Sequence, residues 1–144
     1  MTNTHQNLLA AFAGESQAHV KYRYFAKVCR EHGELDLAAH FDHTADQELL
    51  HAWAHLELLH NDLTPQQCLE LAIEGETYEY TTMYPEFAKQ AEQEQDYLQR
   101  QEMLLQGEES REHALEFLEL AKKRFSALVR VERKHAERYA QFGV

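Results

Sequence analysis

Residues 44–57 read TADQELLHAWAHLE. Ala45 and Ala52 belong to a stripe that starts at Leu37 and Phe41 and ends at Leu58/Leu59, the three-and-four spacing of one helix face. At the centre of that stripe, where a core helix should be apolar, stand Glu48 and His51. Trp53 with Leu49, Leu50 and Leu56 lies off the stripe and forms a second apolar face, the pattern of a subunit contact. A helix apolar on two sides yet carrying a carboxylate and an imidazole inward decides the fold class, because the same interruption recurs along the chain.

Working outward, Leu8, Ala11/Phe12, Ala18, Tyr22, Phe25/Ala26 and Cys29 make an earlier stripe that Gly33 closes as a C-terminal cap. Thr64-Pro65 reads as an N-cap followed by a first-turn proline. From there Leu69, Ala72/Ile73, Tyr80, Met83, Phe87, Ala91, Leu98 and Leu104/Leu105 predict one long helix to Gly107, kinked at Pro85, which lacks a donor and crowds the preceding turn. Ser110 is expected to cap a fourth helix with a stripe of Ala114, Phe117/Leu118, Ala121, Phe125, Leu128, Tyr139 and Phe142. The expectation is an all-α four-helix bundle made of two helical hairpins, about 5–60 and about 65–142, in a single domain over 1–144. The stretch from Glu76 to Gly107 is far longer than that from Glu15 to Gly33. The third helix should therefore project about 20 Å further than the first, as an extended arm over about 95–115 that packs on another subunit.

Composition agrees. The chain has 144 residues, of which 44% are hydrophobic and 27% charged. Its 5 Gly and 2 Pro are too few breakers for an all-β or α/β domain. The net charge of −11 disfavours nucleic acid and anionic membranes as partners. Half of the 14 basic residues crowd into 122–138, which reads as the solvated face of the last helix and alternatively as a dock for an acidic electron donor. Cys29 and Cys68 form no Cys-x-x-Cys pair, excluding a thiolate metal site and a disulfide framework. The chain shows no basic leader and no apolar run long enough to span a bilayer, so the expected location is the cytoplasm.

The interruptions carry the chemistry. Glu15 falls between Ala11/Phe12 and Ala18, Glu76 and Glu79 between Ile73 and Met83, and Glu132 and His135 between Leu128 and Tyr139. With Glu48 and His51 this places five carboxylates and two imidazoles on core stripes. Such a cluster repels itself unless a large positive charge sits within it. Oxygen-rich ligands with two His suit iron or manganese. Glu-x-x-His alone is weak, since Glu and His are abundant here and a third pair, Glu57/His60, sits at a ragged helix end. Registry is the stronger signal: a Glu from each of two helices and Glu-x-x-His from each of the others is the layout of di-iron carboxylate bundles. Gly14-Glu15 is echoed by Gly75-Glu76, and Phe41, Glu48, His51 and Ala52 by Phe125, Glu132, His135 and Ala136, an internal repeat.

The segments AFAGESQAHVKYRYFAK (11–27), TADQELLHAWAHLE (44–57), AIEGETYEYTTMYPEFAK (72–89) and RFSALVRVERKHAERY (124–139) resemble the di-iron domain of rubrerythrins, a ferritin-like bundle. The resemblance implies that Glu48 and Glu132 bridge two irons, with Glu15 terminal on one and Glu76 with His135 on the other. It implies that Glu79 and His51 exchange as ligands between oxidised and reduced states, and that Tyr22 and Tyr84 hydrogen-bond ligand carboxylates. Ala18 stands where the related symerythrins carry an additional Glu. The rubredoxin domain of longer rubrerythrins is not expected, and the stretch from Glu79 to Glu132 is longer than the family usually shows.

The expected cofactor is two iron ions per site, with manganese an alternative at one or both positions. The expected activity is that of a peroxidase reducing hydrogen peroxide to water in oxidative-stress defence, slower toward dioxygen, supplied by an external donor such as a rubredoxin-like protein or a reductase. A ferroxidase or small iron store is the alternative. Finally, a ferritin-like crossover must recross about 34 Å between helix ends near His60 and Pro65, whereas the link 61–64 reaches about 14 Å. A domain-swapped homodimer is therefore expected, each site drawing on both chains.

Overall fold

The computed structural model describes residues 2–125. Among them are five α-helices and one π-helical turn, and no strand, as the apolar periodicity demands. The chain divides into two units at 62/63, each built on a helical hairpin.

In the first unit α1 spans Asn3–Glu31 and α2 Leu35–Leu59. Thr2 caps α1 by accepting from the His5 N–H at 3.1 Å, which satisfies one of the free donors of the first turn. Gly33, at φ +78°, ends it in the left-handed region, and the Glu34 N–H returns to the Cys29 carbonyl at 2.9 Å, as such caps do. The buried residues of α2 are Ala38, Ala45 and Ala52, one every seven, and α1 contributes Ala26. Small side chains at heptad spacing bring the two backbones close along a narrow seam. Tyr22, Phe25 and Phe41 pack as a ring cluster, tilted or edge-on, with centroids 5.6 to 6.2 Å apart, the arrangement that ring quadrupoles favour. Arg23 and Arg30 both bind Asp42, at 2.9 and 2.6 Å, and Arg23 also binds Asp46. Leu50 and Trp53 are exposed, the second apolar face read from the sequence.

The second unit begins with the expected Thr64-Pro65 start. A reciprocal capping box completes it: Thr64 accepts from the Gln67 N–H at 3.2 Å, and the Gln67 side chain accepts from the Thr64 N–H at 2.8 Å. Two donors that the helix leaves free are thereby satisfied. Helix α3 (Pro65–Tyr78) runs into a π turn (Glu79–Met83) and then α4 (Tyr84–Gln93). The disturbance expected at Pro85 thus takes the form of one widened turn just before it. Here the Tyr84 N–H reaches back to the Glu79 carbonyl, and Thr81 Oγ1 donates to the Thr77 carbonyl at 2.6 Å.

The long third helix to Gly107 and the arm over about 95–115 are not formed. The chain turns at Glu94–Asp96, with Gln95 at φ +61° and the Asp96 N–H on the Ala91 carbonyl at 2.9 Å. The Asp96 side chain then caps α5 (Tyr97–Arg124) through the Gln99 N–H at 3.1 Å. No Gly or Pro marks this turn, because Gln accepts the left-handed conformation at a cost of roughly 1–2 kcal/mol. Gly107 is not a stop: it lies inside α5, where a Cβ would meet the Tyr84 Cβ at 3.1 Å. Ser110, expected as a cap, is buried in mid-helix. Helix α5 ends at Phe125, so the expected fourth helix does not run on unbroken from Ser110. Its later residues lie outside the described part. The core of this unit is Ile73 against Ala121, surrounded by Leu69, Phe117, Leu118 and Phe125.

Candidate metal centre

In the first hairpin Glu15 sits on α1 and Glu48 and His51 on successive turns of α2, so antiparallel packing brings all three together. The His51 Nδ1–H donates to Glu15 Oε2 at 3.0 Å and lies 3.8 Å from Glu48 Oε1. One ligand atom from each residue fits within 4.8 Å of the others, the single such group of His, Cys, Asp or Glu among the described residues. The two carboxylates face each other within 4.8 Å. Glu15 is held below the usual carboxylate range by hydrogen bonding to Glu48 and then to His51. Glu48 is pushed above it by the same bond to Glu15, reinforced by burial and by the charge of Glu15. The opposite shifts mean that, of the two, Glu48 is the one that takes up a proton first as pH falls. A divalent cation entering the cluster would displace it.

The second hairpin arranges its groups differently. Glu76 near the end of α3 and Glu79 at the start of the π turn face α5. Ser110 Oγ donates to Glu79 Oε2 at 2.9 Å, and His113 Nδ1 lies 3.5 Å from Glu76 Oε1. Glu76 Oε2 is buried without a hydrogen-bond partner among the described residues. A buried carboxylate oxygen left unpaired is costly, and a cation is a natural partner for it. In both hairpins the donors are carboxylate oxygen and imidazole nitrogen, the chemistry that first-row divalent metals take.

Of the residues expected from the sequence, Glu15, Glu48 and His51 are brought together, and Glu76 and Glu79 share one face. Glu132 and His135 lie outside the described residues. Within their own units the tyrosines have the following partners. Tyr22 packs on Phe25 and Phe41. The Tyr84 hydroxyl donates to Gln106 Oε1 at 2.9 Å, not to a ligand carboxylate, and Gln106 Nε2 donates to Glu102 at 2.6 Å. Burial, then the charges of Glu79 and Glu76, raise the Tyr84 pKa and keep it a neutral donor. Sequence reasoning missed Ser110 and His113. The available signal was the echo of Ala45-x-x-Glu48-x-x-His51-Ala52 in Gly107-x-x-Ser110-x-x-His113-Ala114, obscured because Gly107 and Ser110 read as a helix break.

Comparison with known proteins matches residues 6–143 to the family described as Rubrerythrin. The chain is 36% identical over 106 residues to a rubrerythrin of Porphyromonas gingivalis, covering 65% of this chain and 53% of that protein. It is 37% identical over 106 residues to a rubrerythrin of Nitratidesulfovibrio vulgaris, covering 65% and 56%. With the nigerythrin of the same organism it shares 36% over 107 residues, covering 64% and 52%. The chain thus spans about half the length of the curated relatives it matches.

Proposed function

The chain belongs to the rubrerythrin family, in the all-α ferritin-like class, and from that premise we propose that it is a non-haem di-iron oxidoreductase reducing hydrogen peroxide to water. The observation that carries this reading is the convergence of Glu15, Glu48 and His51, a ready-made complement for a divalent ion. Glu76 and Glu79 supply the second set, with Glu132 and His135 as the further ligands the family resemblance implies. When bound, a pair of ferrous ions would supply the two electrons that, together with two protons from solvent, turn one hydrogen peroxide into two waters.

The protein's own groups prepare for that chemistry. Glu15 and then burial raise the Glu48 pKa, so Glu48 takes up a proton more readily than a free carboxylate and eases repulsion in the cluster as pH falls. The His51 N–H fixes the orientation of Glu15, and Ser110 fixes one oxygen of Glu79. Bonds of this kind hold a ligand in the geometry the ion needs. An anionic Glu79 suits the higher oxidation state and a neutral His51 the lower, so the pair can match ligand charge to the metal. An external donor must return the electrons. We infer an assembly of two chains in which hairpins are exchanged, because the link between α2 and α3 is short.

The test mixes the anaerobic diferrous protein with hydrogen peroxide or with air and times oxidation. Faster oxidation by peroxide is expected. Faster oxidation by dioxygen would overturn the peroxidase assignment in favour of iron oxidation or storage. No helix among the described residues is long and apolar enough to cross a membrane.

A further inference from the structure

The apolar seam of the first hairpin is smooth. Its buried residues are all alanine, Ala26 on α1 and Ala38, Ala45 and Ala52 on α2. Methyl groups of one size let the helices approach but give little resistance to sliding or rotation, since unique packing comes from side chains of differing shape. The turn at 32–34 fixes one end of the hairpin. Glu15 and Glu48 lie about 24 Å along α1 and about 20 Å along α2 from that turn, so a small change in crossing angle moves one carboxylate past the other. A ligand set works only when it is held within about 0.5 Å of its productive geometry.

The contact that supplies this precision stands beside the ligands. His19 lies one turn beyond Glu15 on α1, and Ala45 one turn before Glu48 on α2. His19 Nδ1 is 2.7 Å from the Ala45 carbonyl oxygen, in a part-buried setting. A carbonyl only accepts, so Nδ1 carries the proton and donates. The carbonyl can take this bond because a helical C=O keeps a second lone pair after its own i+4 bond. A backbone acceptor cannot swing to follow the ring, so the bond forms in one register and breaks when α2 shifts. A turn further on, Arg23 Nη1 donates to the Asp42 carbonyl at 3.4 Å and to Asp42 Oδ1 at 2.9 Å. That pair is open to solvent, and exposed ion pairs hold little. A part-buried polar bond across an otherwise apolar seam is the feature by which packed helices specify register.

We propose that His19 is a positioning residue for the metal centre: through the Ala45 carbonyl it fixes α1 on α2 in the register at which Glu15, Glu48 and His51 converge. This rests on the di-metal reading above and adds to it a side chain whose bond goes to backbone, not to a ligand.

Two variants separate the donor from the bulk of the ring. His19→Leu fills the space without a donor, and His19→Asn places an amide N–H near the position of Nδ1. In anaerobic cobalt(II) titration of the full chain, read by visible absorption, His19→Leu should bind the ion of Glu15, Glu48 and His51 about 10–100-fold more weakly than wild type. Its ligand-field band at saturation should be shifted. His19→Asn should stay close to wild type in both respects. A merely structural histidine would give neither a shifted band at unchanged helical circular dichroism nor rescue by asparagine. Unchanged affinity and band in His19→Leu, or equal losses in the two variants, would overturn the proposal. A second measurement needs no metal. Spin labels on Gln17→Cys and Gln47→Cys, both exposed positions, in a chain carrying Cys29→Ser and Cys68→Ser, report the distance between the helices beside the site. The distribution should be narrow with His19 or Asn and broadened or displaced with Leu. The same narrow distribution in His19→Leu would also overturn the proposal. Failure of the wild-type chain to bind cobalt would instead overturn the di-metal reading, and the spin-label distances would still decide whether His19 fixes the two helices.

Discussion

The two hairpins reach a similar donor set by different routes. In the first, one carboxylate comes from each helix and the imidazole lies a turn beyond the second, so Glu15, Glu48 and His51 converge without help. In the second, both carboxylates come from α3 and the π turn, and α5 answers with an alcohol and an imidazole. Glu79 opens the π turn, one helical turn after Glu76. The comparison teaches that carboxylate number and charge can be kept while the helix that carries them changes, provided a neutral donor replaces the carboxylate that moved.

The largest expected effect breaks the first route. Glu48→Ala removes the carboxylate that α2 brings to Glu15 and His51, and cobalt or iron occupancy should fall from two ions per chain to one or fewer. Retention of both ions would remove Glu48 from the site. Exchanging the routes sharpens the comparison: Glu48→Ser alone should weaken the ion of the first hairpin by about 100-fold. Adding Ala18→Glu should recover much of that loss by rebuilding the second hairpin's arrangement on α1. Calorimetric titration of the single and double variants reads both numbers, and no recovery in the double variant would show that the π turn is needed to aim Glu79.

Smaller effects concern stability. Gly107→Ala gains about 1 kcal/mol of helix propensity but puts a Cβ 3.1 Å from Tyr84. The clash should cancel the gain, leaving thermal stability unchanged or slightly lowered. Gly33→Ala meets no neighbour but must adopt φ +78°. It should cost about 1 kcal/mol in thermal or chemical unfolding. The smallest effect belongs to Asp42, whose pKa is lowered by Arg30 and then Arg23. Its folded-state pKa lies below the unfolded one, so its contribution is present above the ordinary Asp range and fades as pH falls through the lowered value. Asp42→Asn should flatten the acid limb of the unfolding curve slightly, measured by circular dichroism against pH.

Much of this was legible from residue order. The stripes through Ala45 and Ala52, the Gly33 stop and the Thr64-Pro65 start are local signals, and each produced the element it promised. Glu15, Glu48 and His51 were legible because a charged group at the centre of an apolar stripe has few explanations. The turn at Glu94–Asp96 was not, because its left-handed residue is a glutamine and its cap an aspartate amid other polar residues. Gly107 misled for the complementary reason: its small size serves the approach of Tyr84, a contact between two consecutive helices that exists only once the turn at Glu94–Asp96 has folded one back on the other.

The sequence by itself therefore determined the helical class, the hairpin that begins the chain and the carboxylate-rich character of its inward faces, since periodicity and charge are properties of neighbours along one helix. Tertiary structure decided where the second hairpin turns and which side chains on α5 meet Glu76 and Glu79. Those pairings depend on two helices packing in one register, and moving the turn from Gly107 back to Gln95 replaces every partner across the seam.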